Sequence, residues 1–258
     1  MPANYAHHRF GQQTFELLPP KARKTVQRFH QLYTIGLHGP DLFFYYNPFM
    51  QTSTGSLGRK YHKESGQVFF SQVCQRIREH PTEGAESYLY GLLAHYCLDS
   101  VCHPFVNGEA AKGTLGHVEM EVEFDRHLMV LDGIESPETL DTSDYFRLTR
   151  GECATVSEFY PPATPANIHA AAWNTRLIVR FLAGKNRKFL KTLLAPFGET
   201  IQQQRMHSPA NHRCLHLNKD LQALYDEALR RYPVLLEQLM DALQNGTPLG
   251  EDFAPDFG

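Results

Sequence analysis

The sequence has one tryptophan, Trp173, and no long hydrophobic run. A membrane-spanning helix needs about 18 apolar residues in succession. The nearest stretch, GLLAHYCLDSVCHPF, is interrupted by His95, Asp99 and His103. The opening MPANYAHHRFGQQTFELLPP has no basic segment followed by an apolar one. No secretory signal peptide is read there, and the expected location is the cytoplasm. Cysteine is sparse, at Cys74, Cys97, Cys102, Cys153 and Cys214. The spacing of Cys97 and Cys102 is not that of a zinc knuckle, so all five are expected as buried free thiols in a reducing compartment. There is no excess of basic charge: 25 Lys and Arg face 28 Asp and Glu, a net charge of −3. That argues against a stable nucleic-acid partner. Sustained period-two alternation is missing as well, so a sheet is not expected, and no internal repeat is found.

What is present suffices for a sizeable core: 258 residues, 42% hydrophobic and 12% aromatic. The pattern predicts an all-α chain, a single multi-helix domain over residues 1–258. Helices are expected from Pro20 to about Tyr33, from His62 to about His80, from Glu83 to Cys102 and from Thr114 to Leu131. Thr82 caps the third of these and Pro104 ends it. GLHGPDLFFYYNPF reads as a turn carrying aromatics, and Ser53 to Arg59 and Asn107 to Gly113 read as loops. Residues 133–165 form an acidic, turn-rich, irregular segment that joins residues 1–132 to a helical half, 166–245. Helices are expected there over Ala166–Ala183, Arg187–Ala195 and Asn218–Leu243. The final TPLGEDFAPDFG reads as extended or loose.

Histidine is abundant: fourteen in all. Ten of them precede residue 130, which directs attention to metal binding in that half. His95, Asp99 and His103 recur at i, i+4 and i+8. On a helix, His95 and Asp99 lie within about 40° of each other. A buried Asp beside a buried His is costly unless it is paired or bound to a metal. The following helix presents His117 and Glu121, again at i and i+4. Glu119, Glu123 and Asp125 fall on other faces and read as a solvated acidic side, with His127 off the His117 stripe. His7 and His8 in AHHRFG, Asp41 in GPDLFFYYNP and His62 in YHKES complete the set. His38 reads as a loop residue.

In this order the segments MPANYAHHRFG, GLHGPDLFFYYNP, YHKES, HYCLDSVCHPF and HVEME resemble the zinc-dependent phospholipase C family, which is related to single-strand-specific zinc nucleases. The resemblance implies one all-α domain with a cluster of two or three zinc ions; iron and manganese accept the same ligands. It implies that Asp41, His62, His95 and Asp99 hold one metal. His103, His117 and Glu121 would hold a second, with positions left open. His7 and a bridging Asp99 would hold a third, with His8 as the rival of His7. In secreted relatives a free amino terminus completes that third site. Here the Pro2 amine could serve if Met1 is removed.

The implied chemistry is hydrolysis of a phosphodiester by a metal-bridged hydroxide. Asp99 would fix the metal pair, Glu121 would help hold the metal that stabilises the leaving oxygen, and Asp41 would ligate and secondarily accept a proton. The phosphate-ester substrate is taken first as a phospholipid. The alternatives are a nuclease, a small-molecule phosphodiesterase or phosphatase, and a metal-stabilised helical binding module without turnover. Phe43, Phe44, Tyr45 and Tyr46 read either as contacts for a substrate or as packing aromatics.

Overall fold

A computed structural model of the chain describes residues 4–47, 52–183, 205–206 and 209–258. The fold is all-α, as expected. Among the described residues its α-helices are α1 (Asn4–Phe15), α2 (Pro20–Arg28), α3 (His30–Gly36), α4 (Ser56–His62) and α5 (Gly66–Glu79). They continue with α6 (Glu83–Ala111), α7 (His117–Leu131), α8 (Arg150–Ser157), α9 (Pro165–Leu182) and α10 (Asn218–Asn245). A 3-10 helix, Gly39–Tyr45, follows α3. Among the described residues no strand forms; one isolated bridge pairs Ser65 with Asp256.

Helix α6 is the axis of the molecule. Every residue from Ser87 to Ser100 is buried, the state of a helix surrounded on all sides. Thr82 caps it by accepting a hydrogen bond from the Ala85 N–H at 3.1 Å, as its sequence suggested. Helices α3, α10, α1 and α2 pack along it. The crossing with α3 is close: a Cβ on Gly91 would overlap the Tyr33 carbonyl oxygen, and one on Gly36 the Tyr88 carbonyl. Helix α10 lays Leu221, Tyr225, Ala228, Tyr232, Leu235, Leu239 and Ala242 on the core. It stops at Gly246, whose left-handed φ of 76° suits glycine.

Several boundaries differ from the sequence reading. The stretch from Pro20 to Tyr33 breaks at Phe29, whose ψ of 42° is not helical. The expected turn after α3 winds largely into the 3-10 helix, and half of the expected loop 53–59 belongs to α4. Helix α5 begins only at Gly66, leaving His62 on α4. Pro104 does not end α6, which runs on to Ala111. Proline lacks only its own N–H and lies on the exposed side, so the flanking turns carry the helix past it. The irregular segment contains α8 and two 3-10 turns, Pro137–Thr139 and Ser143–Phe146. The helix expected over 187–195 lies outside the described residues. The closing residues are not loose: Leu249, Phe253 and Phe257 are buried.

Candidate metal centre

Four segments carry site residues onto one wall of α6. That helix supplies His95, Asp99 and His103, all buried. Because α6 continues through Pro104, His103 stays on the same helical face as Asp99, one turn on, with its Nε2 3.6 Å from Asp99 Oδ1. Helix α1 brings His7, whose Nε2 lies 3.2 Å from Asp99 Oδ1. The 3-10 helix and α4 bring Asp41 and His62, with His62 Nε2 2.9 Å from Asp41 Oδ1 and 3.9 Å from Asp99 Oδ2. Helix α7 brings His117 and Glu121: Glu121 Oε1 is 3.1 Å from His117 Nε2 and 3.3 Å from His103 Nε2. One ligand-type atom each from His7, Asp41, His95 and Asp99 fall within 4.8 Å of one another, and so do those of His103, His117 and Glu121.

Four of the five site histidines share an orientation device. His62 Nδ1 donates to the Gly58 carbonyl at 2.7 Å, and His95 Nδ1 to the Leu37 carbonyl at 3.2 Å. His103 Nδ1 donates to the Phe257 carbonyl at 2.8 Å, and His117 Nδ1 to Asn107 Oδ1 at 2.9 Å. In all four the Nε2 atom is turned toward the shared carboxylates. Holding one ring nitrogen on an oxygen acceptor while the other faces inward is how proteins orient metal-binding imidazoles.

The electrostatics follow from burial and charge. Burial works against the protonated form of His103, but Asp99 and the Glu121 hydrogen bond outweigh it and push its pKa up to about 10. His7 and His62 are also raised by the neighbouring carboxylates, against burial. His95 is pulled down to about 4, because burial dominates there. The surrounding histidines hold Asp99 and Glu121 well below the usual carboxylate range in spite of burial.

The donor set fits divalent metal ions. Among the described residues, both Asp41 oxygens, Asp99 Oδ2, Glu121 Oε2, His62 Nε2 and His95 Nε2 are buried without a hydrogen bond. Their close neighbours sit at contact distance but without hydrogen-bond geometry. Buried carboxylate oxygens with no donor are expensive. Mixed imidazole and carboxylate donors around a shared point are what zinc accepts.

A family model for zinc-dependent phospholipase C matches residues 6–192. The chain belongs to the zinc-dependent phospholipase C family. Together with the buried donor groups, membership supports a metal-dependent phosphoesterase, in a family that acts on phosphate esters and phospholipids. No curated protein and no solved structure matches this chain. No helix among the described residues is long and apolar enough to cross a membrane.

All eight site residues expected for a zinc-dependent phospholipase C, namely His7, Asp41, His62, His95, Asp99, His103, His117 and Glu121, converge here. The grouping is more fused than expected, since His7 joins Asp41, His95 and Asp99. His8 faces away, its ring stacked on Tyr145 with centroids 4.0 Å apart. Pro2 lies outside the described residues. His38 lies in the turn before the 3-10 helix, as expected of a loop residue, but is buried there, its ring 4.5 Å from that of Phe146. Glu123 and Asp125 are buried too, not part of a solvated acidic side. Asp125 holds the N-terminus of α1, and Glu123 accepts a hydrogen bond from the Asn211 N–H at 3.0 Å. Phe43 and Tyr45 are core residues, whereas Phe44 is half-buried with its ring 5.3 Å from that of His62. The five cysteines are buried and free, as expected. Sequence reasoning missed the carbonyl acceptors of Leu37, Gly58 and Phe257. Every residue has a carbonyl, so no side-chain signal marks them.

Proposed function

We propose that this protein is a zinc-dependent hydrolase that cleaves a phosphodiester, in the manner of a phospholipase C. The observation that carries the reading is the shared histidine orientation: Nδ1 of His62, His95, His103 and His117 is tied to an oxygen acceptor, and Nε2 faces the carboxylates. Asp41, His62, His95 and Asp99 would hold one ion, His103, His117 and Glu121 a second, and His7 with Asp99 a third. When bound, such ions polarise phosphoryl oxygens and acidify water near neutral pH.

The protein residues then have distinct tasks. Asp99 lies between the two groups, with Oδ1 toward His7 and His103 and Oδ2 toward His95. It fixes their relative placement. The second group has three protein donors, one fewer than a closed structural zinc site, which favours turnover over a purely structural role. His117 is its exposed member, with 31% of its side chain accessible, so a phosphate group approaches from that side. Phe44 offers a half-buried apolar wall beside His62. Asp41 Oδ2, unpaired among the described residues, can accept a proton from the attacking water.

The test compares zinc-loaded protein on phosphatidylcholine vesicles, a soluble aryl phosphodiester, a phosphomonoester and single-stranded DNA. Phospholipid cleavage to a phosphorylated headgroup is expected. It should be lost in His117→Ala/Glu121→Ala, along with about one ion per chain, while helical circular dichroism persists. Cleavage of DNA alone would make the protein a nuclease. Cleavage of only the soluble diester or the monoester would make it a small-molecule phosphoesterase. Bound zinc without turnover on any substrate would leave a metal-stabilised module.

A further inference from the structure

The last ten residues of the sequence, 249–258, lie well beyond the family match, which stops at residue 192. They are nonetheless laced into the metal centre. Leu249, Phe253 and Phe257 are buried. The Phe257 ring packs against Phe69 and Tyr96, with its centroid 6.1 Å from that of His62 and 6.0 Å from that of His95. The backbone is tied down at each step. The Pro255 carbonyl accepts from the Gly66 N–H at 2.8 Å and from the Tyr96 hydroxyl at 3.1 Å. The Phe257 N–H donates to the His62 carbonyl at 3.1 Å. The Phe257 carbonyl accepts from His103 Nδ1 at 2.8 Å.

Gly258 then closes over the same imidazole. Its φ of +109° lies where side chains are rarely tolerated, and an added Cβ would overlap the His103 side chain. His103 is therefore gripped from two sides: its Nε2 faces Glu121 at 3.3 Å while its Nδ1 is held by a segment about 150 residues away in sequence. Of the other buried histidines of the cluster, His62 and His95 take their Nδ1 acceptors from neighbours nearer the N-terminus, Gly58 and Leu37, and His7 Nδ1 has none among the described residues. Among the described residues, only the group containing His103 depends on the closing segment for this bond.

We propose that Phe257 and Gly258 form a positioning element of the metal centre, which holds His103 by the Phe257 carbonyl so that its Nε2 is presented to a zinc ion shared with His117 and Glu121. This rests on the metal reading given above. Removing the acceptor that orients a metal-binding imidazole costs about 10- to 100-fold in metal affinity. The loss should fall on one site and spare the group built from Asp41, His95 and Asp99.

The test titrates zinc into metal-free full-length protein and three variants, reading stoichiometry and affinity by calorimetry and helix content by circular dichroism. Phe257→Ala keeps the carbonyl and should hold zinc affinity within a few-fold. Deletion of residues 257–258 removes the carbonyl and should cost about one zinc per chain. Gly258→Val leaves the buried Phe257 ring in place and should weaken one site about 10-fold or more. Wild-type affinity at every site in both the deletion and Gly258→Val would overturn the proposal, as would equal losses in Phe257→Ala and the deletion. Should the deletion lose its helical signal, Gly258→Val alone decides: weakening of one site supports the positioning role, and unchanged affinity refutes it. Zinc binding by the wild type with no effect of the variants overturns this inference only. No zinc binding by the wild type overturns the metal reading and this inference with it.

Discussion

The Asp125 carboxylate accepts hydrogen bonds from the backbone N–H of Ala6 at 2.8 Å and of Tyr5 at 3.1 Å. A buried acid on α7 thereby satisfies the open N-terminus of α1, immediately before His7. Free N–H groups and the helix dipole both favour a carboxylate there. The contact fixes where α1 starts and so where His7 meets Asp99. Asp125→Ala should destabilise the protein by about 1–3 kcal/mol, the cost of leaving buried donors unmatched. Urea unfolding measures that loss, and zinc titration should show weaker binding at the site that uses His7. An unchanged unfolding midpoint would refute the role of Asp125 as an anchor.

Metal binding should release protons. His103 carries a proton to about pH 10 in the metal-free protein, and His7 and His62 are also raised. An imidazole must give up that proton to ligate. His95, with a pKa near 4, is already neutral. Calorimetry at pH 7.5 in buffers of different ionisation enthalpy should show net proton release on zinc binding. His103→Ala should reduce the number released.

The histidine contribution to the stability of the metal-free protein should peak near the ordinary histidine pKa of 6.5, while Asp125, pushed up to about 7 by burial, subtracts as pH rises toward that value. His7, His62 and His103 are raised, so their contribution is full below that value and fades as pH rises through their folded pKa values. His8, His38 and His95 are lowered by burial, so theirs is full above it and fades as pH falls. Urea midpoints of chelator-treated protein between pH 5 and 9 check this. A monotonic trend across the range would contradict it.

Gly91→Ala should push α3 and α6 apart, because the new methyl meets the Tyr33 carbonyl. Overpacking of this kind costs about 1–3 kcal/mol. Leu37, whose carbonyl orients His95, directly follows α3. The thermal midpoint should therefore fall and zinc affinity should fall with it. A drop in midpoint with unchanged zinc affinity would uncouple the helix crossing from the site.

Pro104→Ala should stabilise the protein. Proline inside a helix is about 3 kcal/mol worse than alanine, and Pro104 is exposed, so little packing is lost. A rise in the thermal midpoint is expected, with zinc stoichiometry unchanged. A fall would mean that the proline shapes the backbone around His103.

The site residues were legible because their pattern is local. His95 and Asp99, and likewise His117 and Glu121, announce themselves by a four-residue repeat on helices whose apolar periodicity is clear. What could not be read was set by distant contacts. NYAHHRFGQQTF has weak periodicity, and α1 is held by Asp125 from far along the chain. The burial of Glu123 and Asp125 depends on Asn211 and on α1, neither of which α7 reveals. Pro104 misled because it lies on the exposed side of α6, where the flanking turns carry the helix past it. The closing segment looked loose because its few apolar residues are spaced by polar and glycine positions, yet Phe257 fits a gap formed by three other helices.

Asp99 and His103 ride the same uninterrupted helix, and that makes α6 a ruler. Four residues advance about 6 Å along the axis and return the side chain to nearly the same bearing. The offset between the two groups of ligands is thus a property of helical pitch, not of a loop that could relax. An insertion of one residue between Asp99 and His103 would swing His103 by about 100° and take it out of register with Glu121. The centre can therefore be tuned by changing which atoms surround it, but its spacing can change only in whole turns.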